Sequence, residues 1–310
     1  MGADSSTASL RQQHPQVWRR CLGLHWLDLA LCLLVAIAVS YLIWRVNAVF
    51  RYNWNWAAVW PFVLRLDLST GQWVPNLIVE GLLTTLRLAF WGIVLAGSIG
   101  GVMGIARNSK RPLFRWLSGA YVMLIRNTPP VVFIFVFVFF VASQWMHVLA
   151  IGERTAHLPP VWQWLITLLF GPIRLIDNFF LGLICLAIFS GAYVTEIVRA
   201  GIESVPKSQI EAAQSLGMTK LDVLRFVVLP QAFRNVVPPM AGQFIQLIKD
   251  SSLVSLVSIQ ELTFMAQDVQ VSTQRVFEVF VFVGAIYFSI CFVLSLVFAG
   301  MEKRFSGARS

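Results

Sequence analysis

The chain has 310 residues, 57% of them hydrophobic and 13% charged, with a mean hydropathy of +0.72. Soluble domains carry roughly 25% charged and about 45–50% apolar residues, so this composition excludes an ordinary cytosolic enzyme and, more firmly, a disordered chain. A net charge of +9 on a soluble protein would suggest nucleic acid. On a chain this apolar it points to a membrane, with lipid as the surrounding partner and no nucleic acid.

Crossing some 30 Å of hydrocarbon takes about 20 mostly apolar residues. Six segments qualify, 26–45, 81–106, 127–147, 179–202, 236–259 and 276–300, which predicts an all-α, polytopic transmembrane protein. The first follows Arg11, Arg19 and Arg20 and is longer than the 7–15 residues of a typical signal-peptide core. An uncleaved helix is expected there, with cleavage as the alternative. An even number of crossings puts both termini on one side. On that side lie fifteen basic residues, Arg11, Arg19, Arg20, Arg107, Lys110, Arg111, Arg115, Arg199, Lys207, Lys220, Arg225, Arg234, Lys303, Arg304 and Arg309. The opposite side has six, Arg45, Arg51, Arg65, Arg154, Arg174 and Arg275. Cytoplasmic loops carry the excess of Lys and Arg, so both termini are expected in the cytoplasm.

The outer segment 46–76 carries Trp54, Trp56, Trp60 and Trp73, which suits an aromatic belt at the membrane interface. In 148–178, Pro159, Pro160, Trp162 and Trp164 suggest a short helix lying on the membrane. Simple packing is the alternative for all these tryptophans. Helix 81–106 has two overlapping G-x-x-x-G spacings, through Gly97, Gly100, Gly101 and Gly104, which let a neighbouring helix approach closely. It is no phosphate loop, because no G-K-[ST] follows. The chain contains no other Walker A pattern, so any ATP that powers it must bind another subunit. Cys21, Cys32, Cys185 and Cys291 share no C-x-x-C spacing, and His14, His25, His147 and His157 are scattered. Neither set suggests a disulfide framework, a metal site or a catalytic centre.

The loop 203–235 reads ESVPKSQIEAAQSLGMTKLDVLRFVVLPQAFRN. A short helix is expected from about Lys207 to Leu216, stopped at Gly217, a residue suited to a left-handed helix end. Thr219 and Asp222 form a T-x-x-D start for a second helix ending near Pro230. Ala212, Ala213 and Leu216 give the first helix a small apolar face on which another protein could dock, unless the loop folds back on its own membrane domain.

Glu211-Ala212-Ala213, Gly217 six residues after the Glu, and Leu229-Pro230 resemble the EAA loop of type I ABC importer permeases. The stretches 191–199 (GAYVTEIVR), 229–232 (LPQA) and 243–253 (QFIQLIKDSSL) narrow the likeness to the polar amino-acid (His/Glu/Gln/Arg) branch. Arg126-Asn127-Thr128-Pro129-Pro130 resembles that branch's R-G-T-P-L element, departing by Asn for Gly and by a second Pro. The resemblance implies a MetI-like permease domain over about 77–305, with the tail, extra helix and outer segment of 1–76 added before it. It further implies a bacterial cytoplasmic membrane, two permease subunits (identical or different), an extracytoplasmic amino-acid-binding protein and two cytoplasmic ATPases. Those ATPases would bind the ATP and Mg, leaving no cofactor in this chain and making it a non-catalytic subunit. In the family the first EAA helix couples to the ATPase, which implicates Glu211, Ala212, Ala213 and Gly217 here.

Charges inside a bilayer are costly and usually face a cavity or a partner. Lys249 and Asp250 fall near the middle of 236–259; adjacent helical residues do not face each other, so each should meet another helix or a ligand. Glu196 and Arg199, three apart, can share a face. Arg126 precedes Thr128 and Pro129, a plausible helix cap and first-turn proline. A zwitterionic amino acid needs a cation for its carboxylate and an anion for its ammonium, and Arg grips carboxylates bidentately. Glu196, Arg199, Lys249, Asp250, Arg126 and Thr128 are therefore candidates for the substrate path. An interhelical salt-bridge network that sets packing or a gate is the competing reading, and Arg126 could also snorkel to the interface. Asp28, Glu80 and Glu278 read as interfacial, and Arg87 as snorkelling outward. The rival functions are a membrane-embedded enzyme, which lacks a metal set or Ser/His dyad, a scaffold subunit, and an ion-coupled secondary amino-acid transporter using the Lys-Asp pair.

Overall fold

A computed structural model describes residues 26–50, 52–69 and 71–306. The orienting charges Arg11, Arg19, Arg20, Arg51 and Arg309, with Cys21, His14 and His25, lie outside the described residues. Two compact units divide the chain, Met1–Trp54 and Asn55–Ser310. In the first, the apolar run becomes one helix, α1 (Trp26–Phe50), with Asp28 in its first turn.

The second unit opens with two short 3-10 turns, Trp56–Ala58 and Trp60–Phe62. An unforeseen hairpin of β1 (Leu64–Leu66) and β2 (Trp73–Pro75) follows, with Arg65 opposite Val74. At three residues per strand it leaves the architecture helical. The segment is anchored to the helices: Val59 is buried in a cluster with Ile78, Leu262 and Val279. Trp60 meets Phe282 edge-on at 5.7 Å.

Helix α2 (Leu77–Arg107) starts on an Asn76 cap that accepts from the Leu77 amide. After α3 (Pro112–Arg126) the chain bends by 110° into Pro130–Trp145. The prolines force this. Pro129 and Pro130 supply no amide hydrogen, and Pro129 disfavours helical backbone at Thr128. The expected cap is therefore corrected: the Thr128 hydroxyl donates backwards to the Leu124 carbonyl at 2.7 Å, closing α3, while α4 (Pro130–Val136) has Pro129 at its N-cap. A π-helical turn, Phe137–Ala142, joins α4 to α5 (Ser143–Leu149).

Helices α6 (Ile151–Ala156) and α7 (Pro160–Phe170) occupy the outer segment, two where one was expected. Arg87 reaches toward the outer segment. Its Nε donates to the Leu168 carbonyl at 3.1 Å, and Trp91 Nε1 donates to that of Leu169 at 3.1 Å, so α2 satisfies carbonyls that the end of α7 leaves open.

Helix α8 (Ile176–Glu203) packs against α2 along their length. A Cβ on Gly100 would sit 2.5 Å from Val194 Cβ, and one on Gly104 would sit 2.7 Å from Val198 Cβ. The close approach thus uses only the Gly100/Gly104 spacing; a Cβ on Gly101 would meet nothing within 4 Å. Around this seam Leu88, Ile134, Phe179, Leu183, Cys185 and Leu186 form a buried cluster.

After α9 (Lys207–Ser215) comes α10 (Lys220–Asp222), then a π-helical turn, Val223–Val228, and α11 (Leu229–Asp250). The second loop helix does not end near Pro230. The π turn precedes Pro230, and its widened backbone shifts the carbonyl a proline ring would strike. A 3-10 helix over Ser251–Val257 leads to α12 (Leu262–Thr273) and α13 (Val276–Ser306). Lys249 and Asp250 consequently close a helix and do not sit at the centre of one. Among the described residues, four helices are long and apolar enough to cross a membrane, α1, α2, α8 and α13, or five with the bent pair. The expected sixth, 236–259, is different in kind: α11 carries Arg234, Lys249, Asp250, Pro238 and Pro239, and buries Ala232, Leu247 and Ile248.

Candidate functional site

Two groups of residues stand apart from the packing described above. The first is the cytoplasmic loop. Pro206 starts α9, and Gly217 stops it at φ +81°. The Gly217 amide donates to Gln214 O at 3.0 Å and the Met218 amide to Ala213 O at 3.2 Å, the pair of bonds that defines a Schellman helix stop. Thr219 and Asp222 form the expected capping box. The apolar face foreseen on α9 is divided. Ala213 is buried with Val205, Val223 and Val228, whereas Glu211 and Ala212 are exposed and Leu216 is 84% exposed. Helical geometry explains it, since neighbours in sequence point about 100° apart. The loop therefore folds on itself through one face and presents Glu211, Ala212 and Leu216 on the other.

The second group surrounds Glu196 on α8. Its Oε2 accepts from Arg199 Nε at 3.0 Å and Nη2 at 2.9 Å, and Arg199 also pairs with Glu203 one turn on. Arg126, at the end of α3, approaches the same oxygen at 3.9 Å and lies 5.3 Å from the Tyr193 ring centroid. Arg107, the last residue of α2, places Nε 3.0 Å from Oε1. No N–H is directed at that oxygen, which is buried without a hydrogen bond. One carboxylate thus serves guanidiniums from three helices. Arg107 was counted among topology signals in the sequence, because its position at a helix end hid its partner 89 residues away.

A cavity of about 480 Å³ opens beside this cluster at the seam of α8 and α11, lined by Arg126, Tyr193, Glu196, Arg199, Asn235 and Gln243 among others. Pockets of about 300–1,000 Å³ are the usual size for small ligands. Its amide groups are held by serine hydroxyls of α8 and its C-cap. Gln243 Nε2 donates to Ser190 Oγ at 2.9 Å, and Asn235 Nδ2 donates to Ser204 Oγ at 2.7 Å. Further along the same stripe of α11, Gln231 Nε2 donates to Gln209 Oε1 of α9 at 2.7 Å, so the loop helix and the cavity share one helix face.

The candidate path residues are not all brought together. Glu196, Arg199 and Arg126 converge on the cavity. Thr128 is occupied with its own helix, Lys249 is exposed, and Asp250 accepts from Gln246 Nε2 on its own helix at 2.8 Å, where another helix or a ligand was expected. Two carboxylates escaped the sequence reading altogether or in part. Glu261 is fully buried: Oε1 accepts from the Phe264 amide at 2.9 Å, and Oε2 accepts from Thr85 Oγ1 at 3.2 Å and Tyr287 Oη at 2.7 Å. Glu278, read as interfacial, is fully buried and accepts from the Asn55 amide at 2.8 Å. Its place in the apolar stretch VFEVF was the signal available.

Residues 92–307 match the family described as "Binding-protein-dependent transport system inner membrane component". The chain is 35% identical over 214 residues to the probable glutamine ABC transporter permease protein GlnM of Bacillus subtilis (strain 168), covering 68% of this chain and 86% of that one. It is 35% identical over 240 residues to the L-cystine transport system permease protein TcyB of the same organism, covering 77% and 90% respectively. Among solved structures, the crystal structure of an amino acid ABC transporter with histidines superposes with a TM-score of 0.59 at 30% identity, over 74% of this chain and 94% of that one.

Proposed function

Since this chain belongs to the family of binding-protein-dependent transport system inner membrane components, we propose that it is a permease subunit importing polar amino acids into a bacterial cell. The transporter we propose contains a second permease, identical or different, and two ATPases that bind ATP and Mg on the cytoplasmic side. An extracytoplasmic amino-acid-binding protein completes it. Both termini face the cytoplasm in this reading, and 77–305 is the transport domain to which 1–76 is added. The ion-coupled carrier gains no support from a relative named as a probable glutamine ABC transporter permease or from the similar amino acid ABC transporter structure.

The observation that carries the coupling role is the exposed turn of Glu211, Ala212 and Leu216, held by the Schellman stop at Gly217. Ala213 supports that turn from the buried side. In transport, the ATPase grips this face and moves α9, and the Gln209–Gln231 bond passes the movement to α11. The substrate path runs through the α8/α11 cavity. There Arg126 and Arg199 suit a carboxylate, Glu196 suits an ammonium, and Asn235 and Gln243 suit a polar side chain. ATP-dependent uptake by the reconstituted transporter, compared between wild type and variants of α9 and of this cavity, tests both halves.

A further inference from the structure

Arg126 lines a second cavity as well, together with Arg107. It has a volume of about 620 Å³ and lies between the end of α2 and the outer face of α3, with Trp116, Gly119, Met123 and Asn127 completing much of its wall. No carboxylate lines it. Gly119 makes the room: a Cβ there would come within 3.0 Å of Arg107 Nη1, so the guanidinium lies against the α3 backbone.

The charge balance leaves these arginines under-neutralised. Glu196 is divided among Arg107, Arg126 and Arg199, and Glu203 is taken up by Arg199. For Arg126 the nearest carboxylate oxygen, on Glu196, is 3.9 Å away. From residue 107 to 128 the chain carries Arg107, Lys110, Arg111, Arg115 and Arg126 and not one Asp or Glu. The helix holding the cavity is amphipathic. Ser118, Val122 and Ile125 are buried, while Leu113, Trp116, Met123 and Leu124 are between 62% and 71% exposed. Basic residues with exposed Trp and Leu on one helix are the pattern of a helix lying at the headgroup level, and a basic pocket between helices on the Lys/Arg-rich side is where acidic lipid headgroups bind.

We propose that the cavity between α2 and α3 binds the phosphate of an anionic phospholipid of the inner leaflet, through Arg107 and Arg126, with Trp116 and Met123 flanking the glycerol and first acyl carbons. Phosphate oxygens accept from guanidinium N–H groups in the same bidentate geometry as a carboxylate. The lipid would stabilise the point where three helices share Glu196, without occupying the α8/α11 cavity.

The test is native mass spectrometry of the full-length chain in a neutral detergent, titrated separately with phosphatidylglycerol, phosphatidylcholine and inorganic phosphate. Phosphatidylglycerol is expected to bind roughly tenfold more tightly than phosphatidylcholine, and millimolar inorganic phosphate to leave it bound. Gly119→Leu fills the cavity and keeps every charge; Trp116→Ala changes an exposed side chain and keeps the fold. Both should reduce the preference severalfold, whereas the paired change Arg111→Gln and Arg115→Gln, outside the cavity, should affect it least. Equal binding of the two lipids overturns the proposal, as does a preference abolished only by the Arg111 and Arg115 change. Displacement by inorganic phosphate would assign the site to a free anion. A protein dimer that Gly119→Leu dissociates, with no lipid preference, would assign the face to a second copy.

Discussion

Gly217→Ala isolates what the helix stop contributes to coupling. Nothing lies within 4 Å of where the new methyl would sit, so its cost is entirely in the backbone. At φ +81° a residue with a Cβ loses about 1–2 kcal/mol relative to glycine. That lowers the equilibrium for holding the stop by about 5–30-fold. The two bonds that fail with it, from the Gly217 and Met218 amides, belong to an exposed turn, so insertion and folding of the membrane helices should be unaffected. The assay is uptake per ATP hydrolysed in proteoliposomes containing the complete transporter. Gly217→Ala should lower that ratio, by up to about 5–30-fold. Gly217→Asn, whose side chain tolerates the left-handed region, should recover most of it, and Gly217→Asp should uncouple if added charge at the docking face matters. A wild-type ratio for Gly217→Ala, or equal damage from Ala and Asn, would refute the reasoning.

Glu196→Gln leaves three guanidiniums without their shared carboxylate. Breaking a buried pair costs about 3–5 kcal/mol, and with Glu196 still 19% exposed the lower end is expected, seen as a lower melting temperature in detergent together with lost uptake. Asp250→Asn weakens one bond from Gln246, about 1 kcal/mol, and should leave uptake near wild type; a large loss would return Asp250 to the substrate path. Gly100→Leu drives a side chain into Val194 and should cost about 1–3 kcal/mol, read as reduced folded yield, with partial rescue by Val194→Ala and no effect of Gly101→Ala. Glu261→Ala strands the Phe264 amide and Thr85 donors and leaves Tyr287 Oη with Thr263 Oγ1 alone. At about 1–3 kcal/mol for each buried donor left unsatisfied, it should be the most destabilising of these changes, with Glu261→Gln recovering part of the loss.

Local chemistry makes much of the loop readable from its sequence. Pro206, Gly217, Thr219 and Asp222 fix their own geometry within a few residues, and each stands where its type required. The long apolar helices were equally plain, because hydropathy over 20 residues is a local property. Failures came where distant partners decide. Arg87 reads as an interfacial cation until α7 brings the Leu168 carbonyl to it. Glu278 reads as a helix-entrance charge until Asn55 covers it. Lys249 and Asp250 were placed at mid-helix by counting residues, but the turn to 3-10 geometry at Ser251 moved the end of α11 onto them. Of the cavity, Glu196, Arg199 and Arg126 were foreseen from charge in an apolar setting. Asn235 and Gln243 were not, since only the packing of α8 and α11 brings them to it, and neither was the approach of Arg107 to Glu196 from the end of α2.

An ATP-driven importer is defined by what drives its uptake. The measurement is polar amino-acid uptake into proteoliposomes holding this chain, its partner permease and the ATPase, with the binding protein outside and ATP inside. Uptake should require internal ATP and the binding protein, and should persist when an ionophore collapses the proton and sodium gradients. Uptake that proceeds without ATP and stops with the ionophore would contradict ATP-driven import.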